Sequence, residues 1–137
     1  MILDTQTMFS DDQAITVTAV STNIVDLASD SSKVQALNEK GDLQMFVQVS
    51  GAAFAGGTSL KVDVYTSDSS TMNGQAIMVS SAAIVTASLV LGYQFPLGKL
   101  DRINVQYMRL TYTVVGTMSA GNITAGLIID KQTYGPN

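Results

Sequence analysis

The stretch that most constrains the fold of this chain is residues 102–131, which carry the longest strongly patterned run in the sequence. Residues 103–115 are rich in β-branched and aromatic residues, and apolar side chains alternate onto one face, with Gln106 at its rim: Met108, Leu110, Tyr112 and Val114. Residues 116–122 contain two glycines and an asparagine, which tolerate the positive φ of a chain reversal, and an apolar run resumes at Ile123. The pattern predicts a β-hairpin. Because a two-stranded hairpin is marginal in water, the remaining chain must add strands and a covering layer.

Further runs of alternating apolar and polar residues predict more strands. The alternation is most regular in residues 43–49, and the glycines of residues 51–58 predict a reversal into a return strand at residues 60–65. These two strands are expected to form a second hairpin. Shorter strands or apolar pieces are predicted at residues 15–20, 23–27 and 76–79.

Three stretches have a weaker pattern. Residues 28–42 are polar and form the longest predicted loop, with a helical turn possible at residues 33–37. Residues 82–91 mix alanines, which favour helix, with β-branched residues, and we interpret them as a strand or an extended segment. Pro96 indicates that residues 92–97 form an edge strand or a strand end, since proline cannot donate a hydrogen bond to a sheet. About eight short antiparallel strands separated by turns predict an all-β fold, either a β-sandwich or a jelly roll.

The predicted domain organisation is one sandwich, residues 13–137, preceded by an extended N-terminal arm, residues 1–12, in which no period is visible. A chain of 137 residues is long enough to bury a core without disulfides. The first residues lack the basic start and apolar centre of a secretion signal, and the longest apolar run is too short to span a bilayer. We therefore expect a soluble protein that does not contact membranes.

The charge content restricts the possible partners. The net charge is −4 and the seven Lys and Arg are spread along the sequence, which argues against nucleic-acid binding by phosphate neutralisation. Charged residues make up 13% of the chain, against about 25% in an average soluble domain. A surface built from Ser, Thr, Asn, Gln and Ala loses less on desolvation than a charged surface, which suits a subunit that contacts neighbours. A small β domain with a Ser/Thr-rich exterior is the alternative interpretation.

The residue types needed for catalysis are few. The chain has no His and no Cys, so the commonest general base, nucleophile and metal ligands are absent, and no G-x-S-x-G motif occurs. We expect no enzyme activity, no cofactor and no metal. Some aspartates could supply oxygen ligands to calcium, but without the spacing of a calcium loop we interpret them as turn residues: Asp11, Asp12, Asp30 and Asp68. A carbohydrate-binding β-sandwich remains an alternative, although Trp is absent and only five Tyr are present.

Arg109 is the most notable charged residue, because it lies inside a predicted strand between Met108 and Leu110. It is either an ordinary outward-facing arginine beside Tyr107 and Thr111 or an arginine at a subunit interface, where this residue type is enriched.

Two parts of the sequence resemble a known family. The N-terminal pieces MILD, FSD and QAIT and the C-terminal pieces YMRLTYTV and GNITAG are similar to the capsid cement (decoration) proteins of tailed phages related to the Bordetella-phage cement protein. The similarity extends over nearly the whole chain, but residues 51–100 contribute little to it.

The resemblance implies a jelly roll that assembles as a small homo-oligomer, a dimer or a trimer. It also implies a location on the outer capsid surface of the virion, after synthesis in the host cytoplasm, where the protein bridges neighbouring major capsid protein subunits. We expect contacts from the N-terminal arm, with Phe9 as an apolar anchor and Asp11 and Asp12 as further interface residues, and from loops at the ends of the sandwich. Tyr107 and Arg109 are the expected interface residues in the strand.

Overall fold

Strands from distant parts of the chain lie side by side in the computed structural model, which describes residues 8–26, 43–97 and 106–129. The predicted loop at residues 28–42 and its helical turn lie outside these residues. The strands are β1 (Met8–Ala14), β2 (Ala19–Val20), β3 (Val25–Asp26), β4 (Leu43–Val49), β5 (Ser59–Ser67), β6 (Ala76–Ser80), β7 (Ile84–Val85), β8 (Tyr107–Val115) and β9 (Asn122–Ile129). A 3-10 turn, Thr86–Ser88, follows β7.

The first sheet has the strand order β1-β9-β4, and both pairings are antiparallel. β4 and β9 pair without interruption from Leu43 opposite Ile129 to Val49 opposite Ile123. On the other side of β4, residues 92–95 continue the sheet: the Val49 amide donates to the Tyr93 carbonyl at 2.9 Å, and the Phe95 amide donates to the Val47 carbonyl at 2.9 Å. This is the edge position that Pro96 predicted.

The second sheet has the strand order β2-β8-β5-β6. Its centre is the antiparallel ladder of β5 and β8, which runs from Ser59 opposite Val115 to Ser67 opposite Tyr107. Two short strands extend the edges, since β3 also pairs with β8 and β7 also pairs with β5. A strand was predicted at residues 15–20. Only its last two residues form one, β2, because residues 16–18 form a bend.

Both predicted hairpins are wrong. β8 lies in the second sheet and β9 in the first, while β4 lies in the first sheet and β5 in the second. The glycine-containing segments after β4 and β8 carry the chain from one sheet to the other. A run of alternating residues fixes which side of a strand is apolar, but it does not determine the neighbouring strand. Here β4 forms its ladder with β9, and β8 forms its longest ladder with β5.

The core lies between the two sheets. The inward face of β8 contributes the predicted residues, with Met108, Leu110 and Tyr112 fully buried and Val114 packed at the margin. The facing layer comes mainly from β4 and β9: Met45, Val47, Val49, Ile123, Ala125 and Leu127. The predicted apolar face of β8 is confirmed.

The chain alternates between the two sheets from β1 to β9. β1, β4, residues 92–95 and β9 belong to the first sheet, and the remaining strands belong to the second. An antiparallel all-β sandwich is confirmed, and this alternation is compatible with the predicted jelly roll.

A chain of hydrogen bonds, of which the Ser10–Tyr112 bond is buried, joins the two sheets. The Ser10 hydroxyl donates to Gln13 Oε1 at 2.7 Å and lies 2.7 Å from the Tyr112 hydroxyl. Because Ser10 has only one hydroxyl proton, Tyr112 donates to Ser10. Gln13 Oε1 also accepts hydrogen bonds from the amide and the hydroxyl of Thr22. The polar atom of the largest fully buried side chain is thereby satisfied, and β1 is attached to β8.

We predict that Tyr112→Phe lowers the free energy of unfolding by about 1 kcal/mol, since it removes the donor to Ser10 and leaves the ring in place. Urea unfolding measured at neutral pH tests this, with Tyr93→Phe as the control at a half-buried position. An equal loss of stability in both variants would contradict a special role for the buried hydroxyl.

Stability should also depend on alkaline pH through Tyr112. Burial raises the pKa of its phenol above the ordinary value of 10.0, while the hydrogen bond with Ser10 partly opposes that shift. In the unfolded chain the phenol ionises near its ordinary pKa, so the contribution of Tyr112 to stability is complete below about pH 10 and is lost as the pH rises towards the higher folded value. The stability of Tyr112→Phe should consequently fall less steeply above pH 10 than that of the wild-type protein.

Candidate interaction surfaces

The outward side of β5 and β8 around Arg109, away from the Ser59–Val115 end of their ladder, forms the first candidate surface, called here the outer face of the second sheet. Arg109 lies on it opposite Tyr65, with a half-buried side chain. Its Nη2 donates to Gln75 Oε1 at 2.8 Å, and its Nε is buried without a hydrogen-bond partner. After a small rearrangement, an acceptor group on another protein could receive a hydrogen bond from this unused donor.

The outer face of the second sheet also carries an ion pair. Lys61 Nζ lies 3.5 Å from Asp63 Oδ1, and Asp63 is only 5% exposed although it points away from the core. Lys61 and Arg109 are the two basic residues within the described ranges, and both lie on this face. The described part of a chain with net charge −4 therefore presents its positive charge on one side.

Tyr107, the other predicted interface residue of β8, lies on the same outer face. It is half-buried, and it stands opposite Ser67 of β5 and Asp26 of β3. The structure thus brings Tyr107 and Arg109 onto one surface. In the part of the chain that the structure describes, no tyrosine is fully exposed, so that part does not offer the exposed tyrosine cluster expected for carbohydrate binding.

Phe9 lies in the core rather than on a contact surface. It is fully buried within β1, and β1 pairs with β9. The expected boundary between an arm and a domain at residues 12 and 13 falls inside this strand. Phe9 consequently helps to hold the sandwich together, and it is not available as an anchor for a partner while the protein is folded.

Asp11 and Asp12 are both exposed, at an irregular position of β1. Asp12 has a positive φ of 55° and is held by neighbours: its amide donates to Thr124 Oγ1 at 3.0 Å, and the Ser50 hydroxyl donates to its Oδ1 at 3.0 Å. Aspartate tolerates this backbone conformation, so the contacts fit the turn-like role that we expected. Among the described residues, no group of three or more His, Cys, Asp or Glu is placed to hold a metal ion.

The second candidate surface is one end of the sandwich, called here the loop end, formed by residues 15–18, 50–58, 85–93 and 115–121. Backbone hydrogen bonds join these segments to each other. Ala55 and Ala120 are bridged at 3.1 Å, the Phe54 amide donates to the Leu89 carbonyl at 3.0 Å, and the Met118 amide donates to the Thr16 carbonyl at 2.8 Å.

The loop end contains no Asp, Glu, Lys or Arg. It nevertheless exposes five of the eight large apolar side chains that are exposed in the described ranges: Val17, Val85, Val90, Leu91 and Val115. The sequence analysis expected contacts from loops at the sandwich ends but did not single out these residues. The sequence signal for this surface is the absence of charged residues from four segments at strand ends. Only the fold shows that these segments meet.

The fold defines an all-β sandwich protein with two candidate interaction surfaces in its described residues. Within the described ranges, no helix has the length and hydropathy needed to cross a membrane. Residues 9–127 match the model of the Bbp16 family, a family of Bordetella phage proteins, and the chain therefore belongs to this family. Membership suggests a phage virion protein. A comparison with curated proteins finds no match.

The position of Phe9 predicts different outcomes for two truncations. Removal of residues 1–12 should destabilise the protein by at least about 3–5 kcal/mol, because it deletes the Phe9 side chain from the core together with Ser10. Removal of residues 1–7 leaves β1 intact and should preserve cooperative unfolding. Thermal unfolding followed by circular dichroism compares the two, and equal stability of both truncated proteins would show that β1 is dispensable.

Proposed function

We propose that this protein is a capsid cement protein that binds the outside of a tailed-phage capsid and joins neighbouring major capsid protein subunits. The observation that carries the proposal is the match of residues 9–127 to the Bbp16 family of Bordetella phage proteins, which supports a phage virion protein. The similarity of the terminal motifs to phage cement proteins supports the finer assignment to capsid cementing. In this proposal the protein acts by binding alone, as a small homo-oligomer.

Two separate surfaces support a bridging role. A protein that joins other subunits needs at least two contact sites, and the outer face of the second sheet and the loop end differ in position and in chemistry. The first is polar and carries Lys61, Asp63 and Arg109, and the second is uncharged and apolar in part. Different partners can therefore occupy the two surfaces at the same time.

The outer face of the second sheet is the proposed contact with the major capsid protein. Arg109 provides a donor that is unused in the free protein, and the half-buried Tyr65 and Tyr107 lie close to it on the strand ladder. Arginine and tyrosine, with tryptophan, are enriched among the residues that dominate binding energy at protein interfaces. A carboxylate or carbonyl group of the capsid would complete the hydrogen bonds of this guanidinium.

The proposed stabilisation of the shell follows from mass action. A subunit that binds the expanded shell, and not its dissociated or unexpanded forms, adds its binding free energy to the stability of that shell at each occupied site. Many weak contacts repeated over an icosahedral lattice give a large total effect. A low content of charged groups reduces the desolvation cost of each contact.

We expect purified protein to bind capsids that lack it and to raise their temperature of disruption. Electron microscopy of the mixed particles would show additional density on the outer surface, arranged with the symmetry of the lattice, and light scattering during heating would report stability. The absence of added density at saturating concentration, together with binding to a glycan array, would instead favour the carbohydrate-binding alternative.

Arg109→Gln should weaken capsid binding by about 10- to 100-fold, which corresponds to about 1.4–2.8 kcal/mol, while unfolding stability changes little at this half-buried position. Arg109→Lys is the informative comparison, because it keeps the charge but loses the planar fork of donors and should restore binding only in part. Gln94→Ala, an exposed substitution in residues 92–95 of the first sheet, serves as the matched control. Unchanged capsid affinity of Arg109→Gln would exclude this surface as the capsid contact.

A further inference from the structure

We propose that the loop end is the surface through which two copies of this chain associate. The assignment rests on the proposed homo-oligomeric function and specifies the surface that would carry it, but it can be tested without capsids. The proposed partner at the loop end is a second copy of the chain, and a twofold axis relates the two copies.

The first argument is rigidity. The segments of the loop end are connected by backbone hydrogen bonds, including Ile15 amide to Gly121 carbonyl at 3.0 Å and Thr86 amide to Thr58 carbonyl at 3.1 Å. Gly121 has a φ of 138° and lies directly against the Phe54 ring, where an added Cβ would overlap ring atoms. Loops fixed in this way lose little conformational entropy when a partner binds.

The second argument is the arrangement of the apolar side chains. Val85 and Val115 both stand opposite Ser59, one on each side of β5, so they form a row across the end of the second sheet. Val17 adjoins this row, because its neighbours Thr16 and Thr18 are hydrogen-bonded to the backbone of Met118 and Val114. Residues 86–91 then lead across the end to Val90 and Leu91, of which Leu91 is 59% exposed.

The third argument is charge, and it selects the occupant. A twofold contact places the same patch of each copy against itself, so a charged patch brings like charges together unless its opposite charges happen to align. Each copy carries a net charge of −4, yet the loop end contains no charged residue, and Asp12 and Lys61 lie only at its border. An uncharged apolar patch is complementary to itself, so two otherwise repelling copies can meet there without opposing like charges.

The outer face of the second sheet is a poorer surface for self-association. Lys61 and Arg109 would lose water in such a contact, and each would need a partner group in the second copy. A contact at the loop end would desolvate none of its own side chains that carry a charge, because it has none. The two surfaces are thus assigned to different partners, with the polar one left free for the capsid.

The test compares the self-association constants of wild-type protein and single variants by analytical ultracentrifugation over a concentration series. Leu91→Asp should weaken the dimer by more than about tenfold, since the twofold axis introduces the new carboxylate twice and brings the two charges near each other. Val85→Asp, at a 56% exposed position elsewhere on the loop end, should have the same effect. Ile77→Asp, at a 53% exposed position outside the loop end, should leave association unchanged. Circular dichroism verifies that each variant is folded.

Several results would overturn the assignment. The first is that the wild-type protein stays monomeric at the highest concentration. The second is that both loop-end variants still dimerise as the wild type does. The third is that Ile77→Asp weakens the dimer as much as the loop-end substitutions do. Loss of capsid binding by a monomeric Leu91→Asp, with wild-type protein also monomeric, would assign the loop end to the capsid instead. A wild-type dimer that both loop-end variants dissociate, but that never binds capsids, would support this inference and refute the proposed function.

Discussion

The packing of the inward side of β8 against the first sheet is the interaction on which the rest of the structure depends. β8 is central in its own sheet, where it pairs with β5 on one side and with β2 and β3 on the other. Its buried side chains contact the layer formed by β4 and β9, and Tyr112 also reaches Ser10 of β1. Because the same strand fills the core with one side and presents Tyr107 and Arg109 on the other, the core fixes the position of the candidate site.

How much of this fold the sequence predicts depends on whether a feature is local. The alternation in residues 43–49 and 107–115 identifies two strands and their apolar faces, because a side-chain period of two is a property of a single strand. The pairing of those strands is not local, and both predicted hairpins were wrong. Residues 82–91 contain both a short strand and a 3-10 turn, which explains why neither a helix nor a strand pattern dominates there.

The same distinction applies to the candidate surfaces. Tyr107 and Arg109 could be placed together from the sequence because they share one face of one strand. Phe9 was misjudged because the adjoining sequence shows no period, although the side chain completes the core of the folded protein. The loop end could not be assembled from the sequence, since its apolar residues come from four segments that only the complete sandwich brings together.

The pairing of β1 with β9 has a consequence for how the chain folds after synthesis. β9 is the middle strand of the first sheet, so β1 and β4 emerge from the ribosome long before the strand that joins them. Until then both strands have unpaired edges, which are sites where chains associate wrongly. Contacts between residues so far apart in sequence, such as Ala14 and Asn122, also make folding slow for a protein of this size. The yield of folded protein therefore depends on protection of these edges until β9 has been made, as well as on synthesis.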